Sequence, residues 1–267
     1  MSGPAFILSL LLVPAIVQGV TPSPPKTPDG LAPCHDPLQL ENGVPRATGE
    51  RLTYQLEMFG LSLGTAKFSI ERRGFFEGRA VTHYGVDVDS SSLFQWVSKV
   101  EGSGASLIED GRSYPIQATS RYRFRKEREE ELQTYSRKGH HVYSERHHNG
   151  TRLVKDTSFS TPVLDFLTGF YFLRGLNPQD QGCTIIYTGH KAFTLWIQPE
   201  QAEALRTNHG ILNTTRYKLR YASEGDNHVK AIRIWISNDN RRIPLKITGL
   251  QRFKPQAVLE HYRPALH

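Results

Sequence analysis

The first stretch that could carry chemistry is GLSLG, Gly60 to Gly64, which matches the G-x-S-x-G pattern of serine hydrolases. In those enzymes the serine lies on a sharp turn between a strand and a helix. Here the residues after Gly64 alternate as a strand, and no βαβ spacing surrounds them. Paired glycines suit a tight antiparallel connection or a bulge. We therefore interpret the motif as a turn, and a hydrolase with Ser62 as its nucleophile is an alternative.

Four of the eleven histidines cluster in His140–His148, which raises the question of a metal site or a catalytic base. In a strand, alternation places His141, Glu145 and His147 on one face. The two histidines then lie about 20 Å apart at ~3.3 Å per residue, too far to share one metal ion. We expect a solvated hairpin face, no metal and no cofactor. A hydrolase that uses the His141–His148 region is the second enzymatic alternative, although the sequence leans against an enzyme.

A third candidate is the alternation of Arg121, Arg123 and Arg125 with Tyr122 and Phe124. A strand puts the three guanidinium groups on one face and the two rings on the other. Surfaces that bind single-stranded nucleic acid need cations and rings on the same side. We therefore predict a charged hairpin and exclude nucleic acid as a partner. The sequence also lacks the phosphate-loop, dinucleotide, H-E-x-x-H and C-x-x-C patterns.

The elements that must position these residues are strands. Apolar residues recur with a period of two through most of the chain, as in Leu52, Tyr54 and Leu56. The pattern predicts about ten short strands, and Pro244 demotes its own strand toward an edge or a bulge. We expect a single mainly β domain over 49–263, built as a curved antiparallel sheet or a partly open barrel.

One helix is predicted at about 162–174. Thr161 fits the N-cap and Pro162 the first helical position. Arg174 lies in the last turn, where a cation interacts favourably with the helix dipole, and Gly175 can serve as the C-cap. Because the segment is apolar nearly all round, we expect it to be buried against the sheet.

The amino-terminal segment predicts export. Residues 5–17 form an apolar run with the length of a signal peptide, too short for an ordinary membrane span. We predict a signal peptide over 1–19, a proline-rich linker over 20–48, and a mature protein that does not span a membrane. The two cysteines, Cys34 and Cys183, can form one disulfide in an oxidising compartment or remain free thiols. The expected location is periplasmic or extracellular.

The net charge of +7 narrows the choice of partners. A basic exported protein meets anionic lipid headgroups or an acidic envelope component more readily than nucleic acid. Solubility alone explains the charge equally well. A lipid, an anionic envelope component and a protein partner all stay open at this point.

Three segments share a pattern with one known family. They are the opening hairpin GERLTYQLEMFGLSLGTAKFSI, the predicted helix, and IWISNDNRRIPLKI near the end of the chain. The matching positions are Gly60 and Gly64 in the hairpin, Asp165, Leu167, Tyr171, Leu173 and Arg174 in the helix, and Trp235, Ser237, Asp239, Arg242 and Pro244 in the last segment. In order and spacing they resemble the bacterial family known as domain of unknown function 3108, over about 49–262.

The resemblance implies an exported, mainly β protein of the cell envelope, and it supplies no catalytic residues. Because Asp239 can cap its own turn and Arg242 can pair with it, we assign both a structural role. Our leading hypothesis is a non-enzymatic protein that binds a lipophilic or envelope-derived ligand between sheet and helix, or that acts in envelope assembly. A structural module that docks its basic face on an acidic protein is the third alternative.

Overall fold

The computed structural model describes residues 28–40, 43–91, 100–124, 126–226, 228–250 and 254–265. The predicted signal peptide and Arg125 lie outside these residues, and what the sequence predicts for them stays a prediction. Within the described residues the chain forms fifteen strands and one helix.

The strands form two series separated by the helix. The first series is β1 (Arg51–Met58), β2 (Leu61–Phe76), β3 (Arg79–Ser90), β4 (Val100–Glu109), β5 (Pro115–Phe124), β6 (Glu127–Tyr135), β7 (His141–His148) and β8 (Thr151–Ser158). The short strand β9 (Val163–Leu164) leads into the helix α1 (Phe166–Gly175). The second series is β10 (Gly182–Thr188), β11 (Lys191–Thr207), β12 (Gly210–Ser223), β13 (Lys230–Ser237), β14 (Pro244–Gly249) and β15 (Gln256–Arg263).

All fifteen strands belong to one sheet. Two meanders, β1 to β8 and β10 to β15, are joined where β1 pairs with β15, and β9 extends the sheet beyond β10. Neighbouring strands are antiparallel, apart from β9, which runs parallel to β10. No ladder joins β8 to β9 in the described chain, so the sheet is open. The mainly β prediction is confirmed, with more strands than the ten expected, because exposed strands such as β8 lack a period-two pattern.

The sheet curls until its β9–β10 edge packs against the inner side of β5 to β8. Val163 and Tyr187 of that edge join an apolar cluster with Val142 of β7. Lys155 on β8 forms an ion pair with Glu224, which follows β12. Side-chain contacts, rather than a ladder of backbone hydrogen bonds, therefore hold the two edges of the sheet together.

Helix α1 begins later than the predicted residue 162. The chain stays extended through Val163–Leu164 because these residues pair with β10. The prediction of Thr161 as the N-cap is wrong: Asp165 takes that position and accepts a hydrogen bond from the amide of Leu167 at 2.8 Å. The prediction of Gly175 as the C-cap is wrong by one residue, because Gly175 is the last helical residue and Leu176 is the C-cap. The buried side chains of the helix confirm the expected packing against the sheet. No helix in the described part of the chain is long and apolar enough to cross a membrane.

The charged region folds as predicted into a hairpin, formed by β5 and β6. Tyr122 and Phe124 stack on the inner face with their ring centroids 6.4 Å apart. Arg121 and Arg123 lie on the opposite, outer face, where Arg121 is 3.7 Å from Glu130. The rings and the cations are thus separated by the thickness of the sheet, as alternation requires.

Residues 28–40, which we call the N-terminal strap, run along β10 and β11 and reach the carboxy-terminal end of α1, where a Cβ atom at Gly175 would lie 2.7 Å from Cδ1 of Leu40. Cys34 and Cys183 form a disulfide, with 5.6 Å between their Cα atoms. The hydroxyl of Thr194 on β11 donates a hydrogen bond to the carbonyl of Ala32. This part of the predicted linker is therefore tied to the sheet by a covalent bond and by hydrogen bonds.

The GLSLG stretch forms the tight connection between β1 and β2. Phe59 and Gly60 occupy its two turn positions with φ of 55° and 74°, the left-handed values that a two-residue hairpin turn requires. Ser62 and Gly64 already lie in β2. A strand, not a helix, follows the motif, so it has the geometry of a hairpin and not of a hydrolase nucleophile.

Replacing Gly64 by alanine is expected to lower the free energy of unfolding by roughly 2–3 kcal/mol. A Cβ atom at this position would lie 2.1 Å from the carbonyl oxygen of Asp89 on β3, and backbone cannot move aside cheaply. Ser62→Ala, at an exposed position in the same strand, is the control and should change stability by less than about 0.5 kcal/mol. Urea unfolding measures both variants. Equal losses would contradict the steric explanation.

Candidate functional site

An apolar cavity of about 360 Å³ lies between α1 and the inner side of β10 to β14. Helix residues Phe170 and Leu173 form one wall, and Leu195, Leu219 and Ile232 form part of the other. Among the described residues none that lines the cavity is charged. The space between helix and sheet is therefore open and suited to an apolar guest.

Alternation along the strands explains why the cavity is apolar. Leu219 of β12 and Ile232 of β13 are direct cross-strand neighbours, and both point inward. Their chain neighbours Lys218 and Arg233 point to the outer face, because successive side chains of a strand alternate. One run of sequence thus builds an apolar inner wall and a basic outer wall.

Aromatic stacking and one glycine set the distance between α1 and the sheet. Phe170 stacks on Phe68 of β2 with ring centroids 4.1 Å apart. A Cβ atom at Gly169 would lie 2.6 Å from Cδ1 of Ile186 on β10. The glycine therefore allows α1 to approach β10 closely on one side, while the cavity stays open beside it.

A smaller recess of about 210 Å³ adjoins the amino-terminal end of α1. Phe166 and Thr188 line both spaces, and Phe166 is 53% exposed where they meet. Ser120 and Gln133 from the polar side of the curled sheet face this recess. The two spaces together offer an apolar cavity next to a recess whose mainly apolar lining includes a few polar side chains.

Asp165 lies at the wall of the recess, buried at the start of α1. Its carboxylate accepts hydrogen bonds from the hydroxyl of Ser106 at 2.8 Å and from the amides of Leu167 and Thr168. Burial raises the pKa of Asp165, and the hydrogen bonds from Thr168 and Ser106 oppose that shift. With all these donors bound to it, the carboxylate serves to cap the helix.

The carboxy-terminal end of α1 is anchored by a buried ion pair. Arg174 and Glu50 are each 3% exposed, and Nη2 of the arginine lies 2.9 Å from Oε2 of the glutamate. The same guanidinium donates to the carbonyl oxygens of Arg241 at 2.9 Å and Arg242 at 3.1 Å. It also lies 5.4 Å from the ring centroid of Tyr171. These contacts fix the helix to Glu50, the residue before β1, and to the β13–β14 turn.

The β13–β14 turn uses three more of the positions that resemble the family. Ser237 donates a hydrogen bond to Asp239 at 2.9 Å. Asp239 pairs with Arg241, and not with Arg242 as expected. Arg242 instead donates to the carbonyl of Leu176, just after α1, at 2.8 Å. Hydrogen bonds within the turn thus stabilise it, and Arg242 binds it to the end of the helix.

Trp235 and Pro244 complete the set of family-like positions. Pro244 pairs with Ile236 at a shift in the β13–β14 register, which fits the bulge rather than the edge, because β14 pairs with strands on both sides. Trp235 lies on the outer face, where its Nε1 donates to Glu203 at 2.6 Å. None of the polar family-like positions lines the apolar cavity. Their contacts shape the fold, and the cavity is formed by residues of ordinary hydrophobic pattern.

The enzymatic alternatives find little support in the contacts of their residues. The hydroxyl of Ser62 accepts a hydrogen bond from Gln55, and no histidine or carboxylate bonds to it among the described residues. Glu145 lies 3.0 Å from His147 and 2.8 Å from Arg152. Hydrogen bonds from Arg152 and His147 lower the pKa of Glu145 to about 2, which keeps it a paired carboxylate.

The remaining histidine of interest, His141, contacts a carboxylate oxygen of Asp156 on β8 through its Nε2 atom. His141 and His147 thus have separate partners on the outer face of β7. No group of three His, Cys, Asp or Glu side chains in the described ranges has the arrangement of a metal site.

One serine–histidine contact was not predicted from the sequence. Ser144 on β7 lies 3.0 Å from Nδ1 of His190 and donates to Glu131 at 2.6 Å. Ser144 is completely buried, and Glu131 accepts from the backbone amide of His190 rather than from its ring. Burial lowers the pKa of His190. A substrate could not reach the buried Ser144, and Glu131 does not orient the ring of His190. The three residues therefore form a polar contact between two parts of the curled sheet and not a catalytic triad.

The matching solved structures share little sequence with this chain. A β-barrel-like protein of domain of unknown function 1849 from Brucella abortus superposes with a TM-score of 0.56 at 9% identity, covering 84% of this chain and 100% of that one. A Bacteroides fragilis structure, named as an exported protein with a YmcC-like fold, has a TM-score of 0.38 at 8% identity, with 83% and 98% covered. A Parabacteroides distasonis structure, named as a lipoprotein, has a TM-score of 0.34 at 7% identity, with 82% and 97% covered.

The sequence comparisons give the family. No curated protein matches the chain. The model of the family described as "Protein of unknown function (DUF3108)" matches residues 51–251. This match spans β1 to β14 and includes the helix, the cavity and the β13–β14 turn. The chain therefore belongs to the DUF3108 family of proteins of unknown function.

Proposed function

We propose that the protein binds a single-chain lipophilic ligand, such as a fatty acid or the acyl tail of an envelope lipid, between α1 and β10 to β14. The observation that carries the proposal is the open apolar cavity of about 360 Å³. Protein interiors are normally packed to the density of organic crystals, with few voids larger than a water molecule. A space of this size without charged walls is better explained by a guest than by imperfect packing.

The size and lining of the cavity favour an extended apolar ligand. An engineered cavity of ~150 Å³ lined by aliphatic side chains stays dry and takes up benzene. Small-molecule sites begin at about 300 Å³, so the present cavity has room for more than a single ring. The recess beside Phe166, with Ser120 and Gln133, is positioned to receive the polar end of such a ligand.

The compartment is consistent with this class of ligand. The disulfide between Cys34 and Cys183 fits an oxidising environment outside the cytoplasm. The disulfide therefore supports our proposal that the protein acts in the periplasm or outside the cell, as a non-enzymatic protein that handles lipid or takes part in envelope assembly.

Leu195→Trp is expected to weaken binding of a fluorescent fatty acid about tenfold. The indole would occupy the cavity and displace about two methylene groups of ligand, at ~0.8 kcal/mol each. Leu132→Trp is the matched control, because Leu132 lies on the outer face of β6 and is 38% exposed. Fluorescence titration of both variants, with mass spectrometry of lipids extracted from the native protein, gives the measurement.

Two outcomes would contradict the proposal. One is a native protein without bound lipid that also fails to bind the probe. The other is equal probe affinity in Leu195→Trp, Leu132→Trp and the unmodified protein, which would place the probe outside the cavity.

A further inference from the structure

The outer side of the carboxy-terminal strands carries cations and tryptophans, which together we call the basic face. Its members are Trp196 on β11, Arg216, Lys218 and Arg220 on β12, Arg233 and Trp235 on β13, and Lys246 on β14. These side chains point to the outer face of the strands whose inner face lines the apolar cavity. Five cations are therefore brought together on three neighbouring strands, with Trp196 on a fourth.

The register of the ladders arranges these side chains in adjacent rows. The rows are Arg216–Trp235–Lys246, Lys218–Arg233 and Trp196–Arg220. Strands lie ~4.8 Å apart and same-face residues of one strand ~6.6 Å apart, so the cations form a regular two-dimensional array. Such an array is broad and shallow, unlike a groove for a single chain.

Two carboxylates lie beside the basic face and hold part of it in place. Glu200 is 2.7 Å from Arg216 and 2.8 Å from Arg233. Glu203 is 3.1 Å from Arg216. Hydrogen bonds from Arg233 and Arg216 lower the pKa of Glu200, so it remains charged at neutral pH.

Three cations of the basic face lack such a partner. Lys218, Arg220 and Lys246 form no ion pair with a described carboxylate. Counting the five cations against Glu200 and Glu203 leaves an excess of three positive charges on this surface.

The outer face of the other half of the sheet has no comparable excess. Arg121 and Arg123 lie 3.7 Å and 3.8 Å from Glu130 and Glu101. Lys67 of β2 lies across from Asp87 in the ladder. Cations there alternate with carboxylates, so attraction for a polyanion is specific to the basic face.

The tryptophans order the cations and do not offer free ring faces. Arg216 and Lys246 lie 5.9 Å and 5.6 Å from the ring centroid of Trp235. Arg220 lies 5.9 Å from the ring centroid of Trp196. Stacking of sugars or bases needs an open ring face, and here the neighbouring cations compete for it.

We propose that the basic face docks on the anionic headgroup surface of a lipid membrane. A broad array of cations matches a layer of phosphate groups, and each Lys or Arg near such a surface contributes about 1 kcal/mol. Tryptophan suits the boundary between water and lipid, because one end of the ring is apolar and the other is polar. Docking would hold the cavity beside the membrane, although the proposal does not depend on what the cavity binds.

The test is co-sedimentation with vesicles of phosphatidylcholine, with and without phosphatidylglycerol. The triple variant Lys218→Gln, Arg220→Gln, Lys246→Gln should bind the anionic vesicles about 100-fold more weakly, because each charge contributes roughly fivefold. Binding should also fall as salt rises. The control is Lys67→Gln, Arg121→Gln, Arg123→Gln, which removes the same charge from the other outer face and should keep most of the binding.

Three results would overturn the proposal. The first is an equal loss in both triple variants, which would make net charge, not the basic face, responsible. The second is equal binding to vesicles without phosphatidylglycerol. The third is that the unmodified protein is retained on heparin and the first triple variant is not, while both bind vesicles equally. That result would identify an acidic polymer as the partner. Thermal unfolding confirms that the variants are folded, and Leu195→Trp should bind vesicles normally, which separates docking from ligand binding.

Discussion

Replacing both Cys34 and Cys183 by alanine is expected to lower the free energy of unfolding by up to about 5 kcal/mol. The disulfide spans 149 residues of chain. A cross-link restricts the unfolded chain more as the loop it closes grows longer. The hydrogen bonds of the N-terminal strap to β10 and β11 cannot replace this restriction. Urea unfolding of the oxidised protein and of the double variant measures the difference.

Reductant serves as the control for the disulfide prediction. It should move the unfolding midpoint of the unmodified protein toward that of the double variant and leave the double variant unchanged. A difference of less than about 1 kcal/mol between the two proteins would contradict the prediction. It would mean that the noncovalent contacts of the strap suffice to hold it on the sheet.

Arg174→Met should lower the free energy of unfolding by about 3–5 kcal/mol, because it leaves the buried carboxylate of Glu50 without a partner. The variant also removes the donors that bind the carbonyl oxygens of Arg241 and Arg242. Adding Glu50→Gln to Arg174→Met should recover part of the loss, since the unpaired charge is then absent. Denaturant unfolding of both single variants and the double variant gives the coupling free energy.

A surface ion pair with similar geometry provides the comparison for Arg174. Arg152 donates two hydrogen bonds of 2.8 Å to Glu145, but the pair lies on the outer face and is exposed to solvent. Exposed pairs contribute little, because water already solvates both charges. Arg152→Met should therefore change stability far less than Arg174→Met. Similar effects would show that burial does not determine the contribution of the Glu50–Arg174 pair.

The opening hairpin could be predicted because its signals are local. Leu52, Tyr54 and Leu56 alternate with polar residues, and Gly60 permits the left-handed turn that joins two strands. The same local pattern indicated that Ser62 follows a turn and precedes a strand. No distant contact was needed to separate this motif from a hydrolase nucleophile.

The start of the helix could not be predicted from local signals. Thr161 and Pro162 match the residue types that begin helices, but Val163 and Leu164 pair with β10 instead. The partner strand lies about twenty residues later in the sequence. Its backbone hydrogen bonds outweigh the local preference, and Asp165 then caps the shortened helix.

The sequence predicts that the side chains around the cavity are apolar, but it does not predict that a cavity is present. Alternation indicates that Leu195, Leu219 and Ile232 share an apolar face, and the helix is apolar as well. Whether two apolar surfaces meet or leave a space depends on the distance between them. The contact of Gly169 with Ile186 and the stack of Phe68 on Phe170 set that distance.

The sequence by itself determined the strand-rich pattern, the single helix, the opening hairpin and the family, because alternation and turn residues act over a few neighbours. Only the tertiary structure decided how far the sheet curls, that Ser144 meets His190, and that a cavity opens beside α1. It also decided that Lys218, Arg220 and Lys246 form one surface. These features join residues far apart in the chain, and their positions depend on strand register and packing, which no local pattern specifies.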